Sequence, residues 1–353
     1  LGPKHIYISS AVGLAELALS GCTTSTDHQY LFPGGARLDD SIEAASDIGI
    51  RFHPTRGSMS IGQSKGGLPP DALTEREADI LKDCERVISQ FHDDSPNAMV
   101  KIALAPCSPF SVSNDLMIQT AVLARENHLC MHTHLAENSE DIKYSLEKFN
   151  MRPGEYAQSL GWLGDDVWHA HCVQLDSAEV ELFGKTNTGI AHCPSSNMRL
   201  ASGIAPLLEM LDHNVRVGLG VDGSSSNDSS HMLNEARQAM LLQRVVHGAS
   251  AIGARDVLRT ATRGGAEVLR RGNIGQIAPG FMADLAIYDT HSIDLAGTHS
   301  DPLAALVFCG PIKTTHTIIN GKLVVKDGQL TTMDLNALLQ QHRALSIDLV
   351  NSA

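Results

Sequence analysis

Between Cys22 and Asp222 the chain repeats one unit: a short apolar run, a loop with a polar or titratable residue, and a helix-like segment. The runs end at Cys22–Asp27, Thr55, Ala105, His134, His171, His192 and Asp222. Helix-like stretches between and around them include His5–Leu19, Asp39–Asp47, Thr74–Phe91, Asn114–Asn127, Ser139–Phe149, Ser177–Phe183 and Ile204–Leu211. Strand and helix alternating through short links predict a parallel α/β barrel. A closed barrel of this type needs eight strands. Two helices, His231–Val246 and Ala254–Leu269, and then a different pattern follow the last run, so the remaining strand is expected before Leu1.

Four of the runs carry titratable residues at their far ends. In His128–Glu137, His132 and His134 alternate onto one face and Glu137 follows three residues later. Trp168-His-Ala-His-Cys-Val173, Gly189-Ile-Ala-His-Cys-Pro-Ser-Ser-Asn197 and Val217-Gly-Leu-Gly-Val-Asp-Gly-Ser-Ser-Ser-Asn227 end in the same way. Strand ends converge at one rim of a parallel barrel, where barrel enzymes hold their chemistry. Neutral imidazole is a good ligand for a divalent metal, and a nearby carboxylate can move protons.

Composition sets the limits. The chain has 353 residues, 42% hydrophobic and 19% charged, enough for one large domain and a smaller one. A formal net charge of −13 argues against a nucleic-acid backbone or an anionic membrane as partner. No apolar run approaches the roughly 20 residues that span a bilayer, and no basic-then-apolar leader is seen. The 7 cysteines include no Cys-x-x-Cys pair, and reduced, mostly buried thiols in a cytosolic protein are expected. The expected division is a barrel over residues 1–270, a small β unit over 271–330 with a hairpin turn at Asn320-Gly321, and a terminal helix within 331–353.

The motif series resembles the amidohydrolase superfamily: His132-Thr-His-Leu-Ala-Glu137, Ala170-His-Cys-Val173, His192-Cys-Pro-Ser-Ser-Asn197, Val221-Asp-Gly-Ser-Ser-Ser-Asn227 and Gly275-Gln-Ile-Ala-Pro-Gly-Phe-Met-Ala-Asp-Leu285. It is most similar to the mononuclear-metal deaminase and chlorohydrolase branch. The loop Arg56-Gly-Ser-Met-Ser60 with Gly66-Gly-Leu-Pro-Pro-Asp71 further resembles 8-oxoguanine deaminases and hydroxyatrazine-ethylaminohydrolase-like proteins. The resemblance implies a distorted (β/α)8 barrel with a small β-sandwich, one divalent metal at the barrel mouth (zinc first, iron second), a small purine or triazine substrate and a homo-oligomer. The family's first strand carries a His-x-His pair of its own, which would be expected before Leu1.

By the same resemblance, His134 and Asp222 are the metal ligands, Glu137 shuttles protons, His171 orients or polarises the reacting groups, and Asp222 also accepts the water's proton. His132 is expected to be structural, and His169 competes with His171 for its role. Arg56, Cys107 and Asn197 are expected to contact substrate, with Ser108 and His192 in the pocket wall. Each has a plainer reading: Glu137 as a surface carboxylate, Asp222 as a turn cap before Gly223, Arg56 as a solvated rim charge. The implied reaction is hydrolytic deamination, 8-oxoguanine to uric acid, with an s-triazine amino- or chlorohydrolase as the alternative. Because His134 and Asp222 supply two protein ligands where catalytic zinc typically has three, an inactive or purely binding chain is a third reading.

Overall fold

The computed structural model describes residues 1–67 and 69–352; Leu68, in the loop compared above, lies outside them, as does Ala353. Seven strands form one curled parallel sheet whose spatial order is the chain order: β1 (Thr24–Gln29), β2 (Arg51–Ser58), β3 (Ala103–Pro106), β4 (Cys130–Leu135), β5 (Val167–His171), β6 (Gly189–His192) and β7 (Arg216–Leu219). Helices fill the intervals, including Leu38–Ile48, Glu77–Phe91, Asn114–Glu126, Ser139–Phe149 and Ser177–Thr186. This is a (β/α) barrel of the expected type, with seven strands among the described residues.

The strands are apolar because both faces are covered. One face packs on the helices through a continuous core that includes Leu38, Ile48, Ile80, Leu104, Leu116, Met131 and Phe183. Inside the curl, Ala103, Cys130 and Trp168 meet Val268 and Leu269, which come from the end of the helical run after Ala254. That run leans directly on β7. A Cβ at Gly264 would lie 2.0 Å from the Val217 carbonyl oxygen, so only glycine permits the approach.

The second unit is a four-stranded antiparallel sheet, β8 (Leu285–Ile287), β9 (His316–Ile319), β10 (Lys322–Lys326) and β11 (Gln329–Leu330), in the order β11-β10-β9-β8. Asn320 and Gly321, both at positive φ, make the tight turn between β9 and β10. The helix Leu335–Ser352 follows. No helix among the described residues is long and apolar enough to cross a membrane.

Two strand boundaries bear on the site. β1 runs to Gln29 rather than ending at Asp27, and β2 runs to Ser58 rather than ending at Thr55. In that register His28 pairs with Thr55 and Gln29 with Arg56. The extension brings His28 into the strand and moves Arg56 off the rim loop.

Candidate active site

At the ends of β4, β5 and β7 three expected groups come together. His171 Nε2 lies 3.7 Å from Glu137 Oε2 and 4.0 Å from Asp222 Oδ2. The His134 ring stacks on the His171 ring at 5.3 Å. Backbone strain at the strand ends aims these side chains. Ala136, His171, Cys172 and Asp222 all have positive φ, between 50° and 68°, a region that non-glycine residues rarely occupy.

The strain also separates His169 from His171. Plain alternation would put both on one face. Instead, His169 is fully buried against Phe183 in the helix layer, with Nε2 2.9 Å from the Trp162 carbonyl, while the turn at His171 swings its ring to the rim. His169 therefore does not compete for the role of His171. Burial drives its pKa down to about 4, although the bond to Trp162 works the other way.

Each site group is held by a second residue. His134 Nδ1 donates to the Cys107 carbonyl at 2.7 Å, and His171 Nδ1 donates to Asn197 Oδ1 at 2.9 Å. Both imidazoles thus have their remaining lone pair on Nε2. For His134, burial disfavours the charged ring, but the contact with Cys107 outweighs it and the net shift is upward. Ser202 Oγ donates to Glu137 at 3.2 Å, and Asp141 accepts the Glu137 backbone N–H at 2.8 Å. Asp222 accepts from Ser196 Oγ and from the Gly223 N–H. Behind these loops Glu235, fully buried, accepts from the Ser195 N–H at 3.1 Å and from Asn227 Nδ2 at 2.9 Å.

Of the three residues expected to contact substrate, one lies away from the site and two stand beside its histidines. Arg56 does not reach the site. It lies within β2, 2% exposed, and pairs with Glu75 and Asp83 behind the sheet while lying 4.2 Å over the Phe32 ring. The three residues added to β2 place it within the strand, facing Glu75 and the helix Glu77–Phe91 that carries Asp83. Asn197 is buried and spends its oxygen on His171. Cys107 acts through its carbonyl, which accepts both the backbone and the ring N–H of His134. His132 is structural: its ring stacks on Trp168 at 5.0 Å and Nδ1 bonds the Trp168 carbonyl. Ser108 is tied within its own turn to Ser111, and His192 is buried with neither ring nitrogen bonded.

Two residues stand at the site without having been assigned to it. The His28 ring stacks on His134 at 4.8 Å and meets His132 at 4.5 Å, with Nε2 bonded to the Ala105 carbonyl at 2.9 Å. Burial, reinforced by the charge of His134, pushes its pKa well below the usual histidine value. Tyr30 stands edge-on to His134 at 5.9 Å. Continuing the period-2 alternation past Asp27 would have signalled His28.

The amidohydrolase family model matches residues 2–324. The chain belongs to the amidohydrolase family. Its relatives include the 8-oxoguanine deaminase of Pseudomonas aeruginosa, 45% identical over 352 residues, covering 99% of this chain and 78% of that protein. The hydroxydechloroatrazine ethylaminohydrolase of Pseudomonas sp. strain ADP is 37% identical, covering 93% and 69%. Among solved structures, the zinc complex of an atrazine chlorohydrolase from Arthrobacter aurescens TC1 superposes with a TM-score of 0.93 at 34% identity, covering 98% and 77%. This amidohydrolase is a hydrolase acting on carbon–nitrogen bonds.

The donor set bears on metal binding in this amidohydrolase. Lone pairs on His134 and His171 and the carboxylates of Glu137 and Asp222 are all acceptors, and their convergence favours a cation. Among the described residues, no group of three or more His, Cys, Asp or Glu side chains is arranged to hold a metal. The chemistry of His134 and Asp222 fits a divalent ion.

Proposed function

We propose that this chain converts 8-oxoguanine and water to uric acid and ammonia. The observation that carries the reading is the Glu137–His171–Asp222 cluster at the sheet's C-terminal rim, in a chain 45% identical to a protein named 8-oxoguanine deaminase. His134 and Asp222 would hold one divalent ion, zinc first, as in the zinc-complexed structural neighbour. Such an ion supplies hydroxide at neutral pH by lowering the pKa of water.

The chain's own residues then handle protons and position. Glu137, held by Ser202 and by the Asp141 bond to its backbone, gives a proton to the ring nitrogen beside the amino-bearing carbon. Asp222 takes the proton that the attacking water loses. His171, kept in one tautomer by Asn197, lies between the two carboxylates and orients the groups that exchange at that carbon. The carbon–oxygen bond forms, Asp222 passes its proton to the amino group, the carbon–nitrogen bond breaks with loss of ammonia, and the new hydroxyl returns a proton to Glu137 as it becomes the carbonyl.

A second reading replaces the ring with an s-triazine, supported by the 37% identity to the hydroxydechloroatrazine ethylaminohydrolase. Ammonia release from 8-oxoguanine, compared with turnover of hydroxytriazines by zinc-supplied protein, separates the two. Preference for 8-oxoguanine is expected, and a preference for triazines would replace the substrate. In either case Glu137→Gln should lower kcat by about 100-fold or more. An unchanged kcat would remove the shuttle role. Protein that neither retains zinc nor turns over either ring would favour the non-catalytic reading.

A further inference from the structure

Tyr30 has no part in the chemistry above. It follows β1 at the rim, its ring edge-on to His28 at 5.1 Å and to His134 at 5.9 Å. Its place is set by the backbone around it. A Cβ at Gly57 would lie 2.7 Å from Tyr30 Cβ and 2.8 Å from Tyr30 Cα, so glycine at 57 is what lets Tyr30 sit there. Two residues further on, Phe32 lies under the Arg56 guanidinium, which Glu75 and Asp83 hold in turn. The segment is pinned on both sides of the phenol.

The phenol itself is free. Tyr30 is partly exposed, and its hydroxyl has no hydrogen-bond partner among the described residues. A phenol is an O–H donor at neutral pH. Its neighbours in the site are acceptors: Nε2 of His134 and His171, and the carboxylates of Glu137 and Asp222. Such a set can receive the N–H groups of a ring but, apart from the proton that Glu137 delivers, offers no donor to a ring carbonyl. Tyr30 supplies the donor that an oxygenated ring needs.

We propose that Tyr30 is a specificity-determining residue whose phenol O–H binds a carbonyl oxygen of the substrate ring and so selects oxygenated rings over rings that carry only amino groups. This deepens the deaminase reading and rests on it.

The test is Tyr30→Phe, which keeps the ring and its packing. Binding of uric acid, the carbonyl-rich product, is measured by calorimetry on metal-free and zinc-loaded protein, alongside KM and kcat for 8-oxoguanine. Binding of 2,6-diaminopurine, which has no carbonyl, is measured on the same samples. Uric acid affinity should fall on the order of 10-fold, with KM for 8-oxoguanine raised to match, kcat changed less, and 2,6-diaminopurine unaffected. Unchanged uric acid affinity in the variant, equal losses for both rings, or no binding of uric acid by the wild-type chain would each overturn the proposal. Wild-type protein that binds uric acid through Tyr30 yet releases no ammonia from 8-oxoguanine would sink the deaminase reading and leave this inference standing.

Discussion

At the scale of single residues, the barrel carries an unusual number of imidazoles kept from protonation. His28, His53, His132, His169 and His192 are all pushed down, burial being the first cause in each. Carboxyls shift the opposite way: burial lifts Asp27 and Asp141 to about 6 and also raises Glu235. These groups oppose one another in the overall pH dependence of stability, so a single-site difference is the cleaner measurement. His169 suits it, because it is fully buried and lies outside the site. Its folded pKa of about 4 lies below the usual value of 6.5, so the unfolded chain takes up the proton first. The stability it contributes is complete above pH 6.5 and is lost as pH falls toward 4. Replacing it by Gln, which can still donate to the Trp162 carbonyl, should reduce the slope of unfolding free energy against pH in that window by about one proton, roughly 1.4 kcal/mol per pH unit. Urea unfolding of both proteins at several pH values between 4 and 7 checks this, and parallel curves would contradict it.

At the scale of elements, the site depends on loops held by one buried carboxylate. Glu235, near the start of the helix Met232–His247, joins the short helix Pro194–Arg199 after β6 to the loop after β7 through Ser195 and Asn227. The short helix carries Ser196 and Asn197, which hold Asp222 and His171; the loop carries Asp222 itself. Glu235→Ala would leave two buried donors unpaired, costing about 1–3 kcal/mol for each. It should lower kcat more than it raises KM, because it disturbs the catalytic frame rather than the ring pocket. Glu235→Gln, which keeps one acceptor, should fall between. Steady-state kinetics beside thermal melts decide; a loss of stability with kcat intact would confine Glu235 to the fold. The repeating units, the seven strands and the family were legible in the sequence, because apolar runs and motif spacing do not depend on contacts. Arg56 was misplaced because it depends on where β2 ends, which is set by pairing with β1, and on carboxylates 19 and 27 residues away, Glu75 just before the helix Glu77–Phe91 and Asp83 within it. Strand alternation could not separate His169 from His171, because the left-handed turn at His171 breaks it; the motif His171-Cys172-Val173 had to decide. The bond from His171 to Asn197 was not legible because the two lie 26 residues apart in sequence.

At the scale of the whole molecule, the barrel and the small sheet meet over a buried ion pair. Arg51, the first residue of β2, bonds Asp284 through Nε and Nη2 at 3.2 and 3.1 Å, with side chains only 1% and 2% exposed. Asp284 also accepts the Asn320 N–H at the β9–β10 turn, and Arg51 caps the carbonyls of Asn97 and Ala98. Thr317 and Tyr288 reach across in turn to the last carbonyls of the helix Pro3–Ser20, those of Ala18 and Ser20. The β unit is therefore bound into the barrel by polar contacts that water does not reach. Taking two charges out of water costs nearly as much as their attraction returns, so the pair adds little net stability while it is intact. Breaking one side is different, because the remaining charge stays buried alone. Asp284→Ala should cost about 3–5 kcal/mol, whereas the paired replacement Arg51→Met with Asp284→Leu should recover most of that loss. Equilibrium unfolding of the two variants, followed by tryptophan fluorescence and by circular dichroism, measures the difference. Trp162 and Trp168 both report from the barrel, so a fluorescence transition that shifts when Asp284 is truncated shows that the small sheet's carboxylate stabilises the barrel itself. If the double variant proves as unstable as the single one, the joint rests on the hydrogen bonds to Asn320, Asn97 and Ala98 and not on charge.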